Sequence, residues 1–319
     1  MRPCCKSAAK VTIGIVDDEI RVQYSRMLKI NISTKAGQLR RLVQHSAMTK
    51  RTGRTYRPVL AAQGQLGVTF IGHSSFFLQI GGSNVVIDPI FAPWLFVLKR
   101  LRRPGLRIQD LPPLDAVLVT HAHFDHLHRP SLRAIARATR LKCGRAPLLI
   151  VPANCSDLVF DLGFERVVEL GWWEEFLLGD TRITATPAKH WGARVIRDMH
   201  RGYGGYCLSG GGHSIYHSGD TAYFGGFKEI GERLDPDVAL LPIGAYQPDN
   251  FRAVHTSPED ALRGFVDMGA RCMIPMHFGT FKLSQEPVDE PVKRLLSAAL
   301  RLGIADRVHV LEEGVAEFF

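Results

Sequence analysis

From Leu66 onward the chain alternates short apolar runs with turn-forming clusters, the texture of many strands and a few helices. Residues 67–71 and 75–80 read as strands around the turn Gly72-His73-Ser74. Gly81-Gly82 then makes a tight hairpin into a third strand, 84–88. Residues 115–120, 147–151 and 166–170 read as strands. Between them come a helix over 130–140 that opens on a proline and a short helix over 156–162. In the second half, 180–187, 204–209 and 213–217 look like antiparallel strands, the last two joined by Gly210-Gly211-Gly212. Residues 237–242 and 271–275 read as buried strands separated by a helix over 257–268. A helix over 286–302 and a closing strand over 308–311 complete the pattern. Strands crowd each half and helices punctuate them, so the expected class is α+β, with two sheets packed face to face and helices outside.

Before Leu66 the periodicity is lost. The chain has 319 residues and 45% apolar content, enough for a sizeable core. Its net charge of +9 is unevenly spread: residues 1–57 hold 13 Lys/Arg against 3 Asp/Glu, and the remainder 27 against 28. The expected organisation is a basic, poorly ordered extension over 1–63 followed by a single domain over 64–319. Val11-Thr12-Ile13-Gly14-Ile15-Val16-Asp17-Asp18-Glu19 looks like the opening of a receiver domain. Too little chain precedes Leu66 to complete one, so the match is read as chance. A basic arm can touch nucleic acid or anionic lipid, but a solvated tail is the expectation, and nucleic acid is not expected as a partner. Cys4, Cys5, Cys143, Cys155, Cys207 and Cys272 form no C-x-x-C pair and read as free thiols in a reducing compartment. No secretory core and no run of ~20 apolar residues is present. A cytoplasmic protein, soluble or peripheral to a membrane, is expected.

The most specific chemistry lies in His121-Ala122-His123-Phe124-Asp125-His126, directly after the apolar run 116–120. Three imidazoles and a carboxylate at a strand end suit zinc, and also iron or manganese. Successive strand residues point to opposite faces, so His121 and His123 share a direction, and the following loop can turn Asp125 and His126 toward a second metal. Three further predicted strands end in ligand-type residues: Thr186-Pro187-Ala188-Lys189-His190-Trp191, Tyr216-His217-Ser218-Gly219-Asp220-Thr221 and Ile274-Pro275-Met276-His277-Phe278-Gly279-Thr280.

In this order the motifs resemble the metallo-β-lactamase superfamily, from about Leu66 to the C-terminus. The resemblance implies an αββα sandwich of two mixed sheets flanked by helices. It implies His121, His123 and His190 as ligands of one metal, Asp125, His126 and His277 as ligands of a second, and Asp220 as the bridge. Two such cations, zinc being expected, can share a water and bring its pKa from ~15.7 to near 7, so that a bridging hydroxide exists at neutral pH. Asp125 and Asp220 thereby count as catalytic as well as ligating. His255 is the candidate for contacting a phosphate or helping to protonate the leaving oxygen. Tyr246 and His73 are placed in loops facing the metals, and Trp172-Trp173 is expected to pack.

The flanking segments narrow the resemblance. Lys189-His190-Trp191-Gly192-Ala193-Arg194, Pro242-Ile243-Gly244-Ala245-Tyr246-Gln247-Pro248, His255-Thr256-Ser257-Pro258-Glu259-Asp260-Ala261 and Met276-His277-Phe278-Gly279-Thr280-Phe281 look like the N-acyl-phosphatidylethanolamine phospholipase D branch. That implies hydrolysis of an N-acylated phospholipid to phosphatidic acid and an N-acylethanolamine. The alternatives are a phosphosugar lactonase of the same fold, a nuclease of the ribonuclease Z kind, and a non-catalytic metal-binding module. The nuclease is disfavoured by the charge-balanced body, and the inert module by the filled ligand positions. The apolar run Phe91-Ala92-Pro93-Trp94-Leu95-Phe96-Val97-Leu98, flanked by Lys99, Arg100, Arg102 and Arg103, suggests peripheral membrane contact through residues 91–103.

Overall fold

The computed structural model describes residues 37, 40–44, 47–195 and 198–319. The segment 11–19 and most of the basic extension lie outside the described residues. The described part of that extension lies along the body: Thr52 N donates to Leu101 O, Arg103 N to Thr52 O, and Tyr56 N to Gly105 O.

The strands are β1 (Gly67–Gly72), β2 (Ser75–Ile80), β3 (Ser83–Ile87), β4 (Trp94–Leu95), β5 (Leu98–Lys99), β6 (Ala116–Leu118), β7 (Leu148–Pro152), β8 (Val167–Leu170), β9 (Glu175–Leu178), β10 (Thr181–Thr186), β11 (Gly205–Gly210), β12 (His213–His217), β13 (Val238–Pro242), β14 (Cys272–Met276) and β15 (Ala316–Phe318). The helices after β1 are α1 (Arg129–Cys143), α2 (Gly226–Leu234), α3 (Pro258–Met268) and α4 (Glu290–Leu302). One sheet runs β15-β1-β2-β3-β6-β7-β8 and the other β14-β13-β12-β11-β10-β9. Both are mixed: β3, β6, β7 and β8 pair in parallel, as do β12, β13 and β14, and the remaining neighbours are antiparallel.

The two-residue period of a strand explains the layering. Ala116 and Leu118 face the core between the sheets, whereas Val117 faces the layer under α1 with Leu132 and Ile135. Val238 and Leu240 likewise face inward, and Ala239 and Leu241 meet Phe227, Leu262, Phe265 and Leu295 of the helices. Strands buried on both faces read as unbroken apolar runs, which is why these central strands were legible. The result is the αββα sandwich.

Three expectations are corrected, and the run around Trp94 takes a defined form. Residues 308–311 form no strand beyond a bridge from Val308 to Met273; Gly314, at φ 87°, turns the chain so that β15 closes the sheet against β1 instead. The helix expected from 286 begins at Glu290, because the Glu286 carboxylate is engaged by the backbone N–H groups of Ala245 and Gln247. The helix expected over 156–162 is one turn, Ser156–Leu158, since Glu169 takes the N–H groups of Asn154, Cys155 and Ser156. The run around Trp94 is a two-stranded ribbon, β4 with β5, whose tip exposes Trp94, Phe96 and Val97.

Candidate metal centre

The β1–β2 turn and the loops leaving β3, β6, β10, β12 and β14 deliver polar side chains to one place. Immediately after β6, His121 Nε2 lies 2.9 Å from His123 Nδ1, and His190 Nε2 lies 3.3 Å from the same atom. Three ring nitrogens therefore crowd one point. Beside them, Asp220 Oδ2 lies 3.1 Å from His277 Nε2 and 3.3 Å from His126 Nε2. Asp125 Oδ2 lies 3.6 Å from each of those two nitrogens. His121, His126 and Asp220 also group within 4.8 Å, so Asp220 stands between the two sets. All seven residues singled out by motif are brought together. The turn carrying Asp220 depends on Gly219 at φ 61°: a Cβ there would meet Gly204 O at 2.5 Å and Thr120 Cβ at 2.9 Å.

The rings are oriented from behind. Asp88, just past β3, takes hydrogen bonds from Thr120 N at 2.8 Å, Thr120 Oγ1 at 2.6 Å and His126 Nδ1 at 2.7 Å. Thr120 Oγ1 is in turn 2.9 Å from His121 Nδ1. With its hydroxyl proton given to Asp88, Thr120 accepts from His121, leaving His121 Nε2 as a lone pair. His190 Nδ1 donates to Val254 O at 2.9 Å, which frees Nε2 in the same way. Asp88 and Thr120 were not singled out in the sequence. The available signal was position: Asp88 ends its strand run as His121 ends the next parallel one.

Burial, reinforced by neighbouring imidazoles, holds His121 and His190 well below the ordinary histidine value; burial brings His123 down to about 4. Those rings stay neutral, the form that binds a metal. Burial alone would raise Asp125 and Asp220, but the facing histidines keep both carboxyls well below their usual range. Burial opposes charge on His126 and His277 as well. There Asp220, assisted by Asp125, wins, raising His126 and lifting His277 to about 9. Two carboxylates held in their ionised form thus face the His126 and His277 rings across the cluster.

Five buried atoms of these residues have no hydrogen-bond partner: His126 Nε2, His277 Nδ1 and Nε2, His255 Nδ1 and Asp220 Oδ1. An unsatisfied buried polar group costs about 1–3 kcal/mol. A convergent all-N/O donor set with such unspent atoms fits one or more divalent cations of the zinc, iron or manganese type.

His255 belongs to the cluster's wall: its Nδ1 is 3.8 Å from Asp220 Oδ2, and its ring centroid is 5.1 Å from that of His190. Burial brings it down to about 4 despite Asp220, so it stands as a neutral hydrogen-bonding ring. Trp191 packs edge-on to His123 at 4.7 Å. Tyr246 departs from expectation, spending its hydroxyl on Glu290 at the start of α4. Trp173 packs among the helices, as expected, whereas Trp172 is exposed and donates to Tyr203 O. His217 is structural: Nε2 donates to Ser74 O and Nδ1 accepts from Gly219 N.

The rim is apolar on one side. Phe124, between His123 and Asp125 of the His121–His126 run, meets Phe96 of the β4–β5 tip at 4.7 Å, and the Arg194 guanidinium stacks on it at 3.9 Å. Of the basic flank expected beside this tip, Arg100 is turned inward, Lys99 and Arg102 are half-buried and engaged within the fold, and Arg103 is exposed. Arg100 is fully buried, donating to Ile90 O and Arg102 O, Arg102 pairs with Glu313, and Lys99 donates to Thr49 O. Backbone carbonyls on three sides draw Arg100 into the interior, away from any external partner.

Residues 83–278 match the family described as the Beta-lactamase superfamily domain. An uncharacterized protein of Mycobacterium tuberculosis is 34% identical over 249 residues, covering 74% of this chain and 64% of that one. The mitochondrial N-acyl-phosphatidylethanolamine-hydrolyzing phospholipase D of Saccharomyces cerevisiae is 32% identical over 265 residues, covering 79% of this chain and 55% of that one. The chain thus spans between about half and two thirds of the length of these two relatives. A metal-dependent hydrolase of Rubrobacter xylanophilus is 32% identical over 253 residues, covering 77% of this chain and 94% of that one. A metallo hydrolase structure from Ignicoccus hospitalis superimposes with a TM-score of 0.60 at 27% identity, covering 80% of this chain and 98% of that one.

Proposed function

This chain belongs to the beta-lactamase superfamily as a metal-dependent hydrolase, and from that membership we propose that it is a dinuclear zinc enzyme that hydrolyses a phosphodiester of an N-acylated phospholipid. His121, His123 and His190 would hold one cation, and Asp125, His126 and His277 the other, with Asp220 shared between them. Zinc bound by such donors supplies a water acidified toward neutrality and positive charge for the attacked group. The chain's own residues do the rest. Asp88 and Thr120 fix the ligand rings, Val254 O fixes His190, and Trp191 walls one side against bulk solvent. His255, neutral and with an unspent Nδ1, is suited to hydrogen-bond a phosphate oxygen or the leaving oxygen.

One observation carries the lipid reading: the donor cluster opens beside Phe124, which continues through Phe96 to the exposed Trp94 and Val97. A phosphodiester bearing acyl chains can put its phosphate at the donors and its hydrocarbon along that rim, and the tip can enter a lipid interface. The similarity to the yeast enzyme supports the same choice. No helix among the described residues is long and apolar enough to cross a membrane, so the lipid would be met from the surface. The test is an assay of zinc-loaded protein on an N-acylated phospholipid, a generic phosphodiester and a phosphosugar lactone. Release of phosphatidic acid from the first is expected. Turnover of the lactone alone would overturn the proposal.

A further inference from the structure

His73 lies outside the seven donors yet holds two of them. Its ring Nε2 is 2.9 Å from Asp125 Oδ2, within hydrogen-bonding distance. Its carbonyl accepts from His277 N at 2.8 Å, and its ring packs tilted against that of His277, with centroids 4.3 Å apart. The residue is 1% exposed and sits at φ 64°, in the left-handed region that costs a non-glycine residue energy. Thr280 Oγ1 secures it there by accepting from His73 N at 2.7 Å. His277, its backbone partner, is likewise left-handed at φ 58°. Two strained turns, from β1–β2 and from the end of β14, are therefore locked to each other at the cluster.

We propose that His73 is a positioning residue that selectively sets the affinity of the second cation site by aiming Asp125 and His277. This rests on the dinuclear reading above. His73 is grouped with Asp125, His126 and His277 within 4.8 Å, which also raises a role as a direct ligand. The geometry argues against that role, because the ring nitrogen facing the site lies 2.9 Å from the Asp125 oxygen itself, the place of an orienting partner. No contact links His73 to His121, His123 or His190, so the first site should be indifferent to it. Orienting partners of this kind typically change metal affinity 10–100-fold.

The test is zinc titration of metal-free wild type, H73A, H73F and H73Q, following bound zinc per chain by elemental analysis and affinity by competition with a chromophoric chelator. All three variants bear the same backbone strain, so their differences isolate the side chain. H73F keeps the ring packed on His277 without a donor, which guards against a folding defect in H73A. H73A and H73F should bind the first equivalent as wild type does and the second about 10–100-fold more weakly. H73Q, which can still donate to Asp125, should recover most of the loss. Wild-type affinity for both equivalents in a folded H73F, or equal weakening of both, overturns the inference about His73. A wild-type chain that takes up only one zinc overturns the dinuclear reading and this inference with it.

Discussion

Asp88 Oδ2 accepts a hydrogen bond from His126 Nδ1 at 2.7 Å, between two side chains with no solvent exposure. The same carboxylate oxygen accepts from Thr120 Oγ1, whose oxygen meets His121. One carboxylate thus orients a ring in each half of the cluster. This makes Asp88 the joint between the two donor sets, although it touches neither set's centre.

Replacing Asp88 by alanine strands Thr120 N, Thr120 Oγ1 and His126 Nδ1 in the interior. Each unsatisfied group costs about 1–3 kcal/mol. The variant should melt several degrees lower and bind zinc 10–100-fold more weakly at both sites, unlike the His73 variants. Calorimetric melting and a zinc titration check this. Selective loss of one site would contradict the joint role.

The exposed ribbon tip offers a separable test. Replacing Trp94, Phe96 and Val97 together by serine should reduce co-sedimentation with phospholipid vesicles, with little change in melting temperature. Phe96 also touches Phe124, so turnover on vesicles should fall more than turnover of a soluble short-chain substrate. Unchanged vesicle binding would remove the ribbon from the lipid account.

Arg201 clamps the loop that follows His190 and Trp191. It donates to Asp198 Oδ2 at 2.6 Å, to Asp157 Oδ1 at 2.6 Å and to Asn154 O at 2.7 Å. The Arg201 hydrogen bond holds Asp157 below its ordinary value; at Asp198, burial pushes upward but Arg201 prevails and the value falls. A depressed carboxyl contributes stability that is complete above its unfolded value, ~3.9, and fades as pH falls through the lower folded value. D198N should therefore cost about 1.5–3 kcal/mol at pH 7 and progressively less as the medium is acidified below ~4. Urea midpoints at the two pH values measure it. A penalty that grows on acidification would refute the clamp.

How much of this was legible in the sequence depends on what each residue answers to. His121, His123, Asp125 and His126 stood out because four ligand residues at one strand end have few other uses. His190, Asp220 and His277 also follow predicted strands, but the family resemblance is what singled them out. Asp88 was hidden because a lone aspartate after a strand is an ordinary turn residue, and only the parallel pairing of β3 with β6 puts it behind His121. Arg100 was misread because a basic residue beside an apolar run looks solvated, whereas carbonyls distant in sequence draw it inside. Helix α2 was not anticipated. Its Gly226 and Gly231 lower helix propensity, yet a Cβ at Gly231 would lie 2.0 Å from Met268 O, so packing against α3 requires the residue that obscures the pattern.

The central claim is that two cations, held by donors from four stretches of chain, do the chemistry. Its most direct measurement is hydrolysis of the N-acylated phospholipid by metal-free protein as zinc is added, with bound zinc counted in the same samples and D220A carried alongside. Activity should rise with the second equivalent, and folded D220A should stay inactive at every ratio. Full turnover at one equivalent or fewer, or an active D220A, would contradict the account.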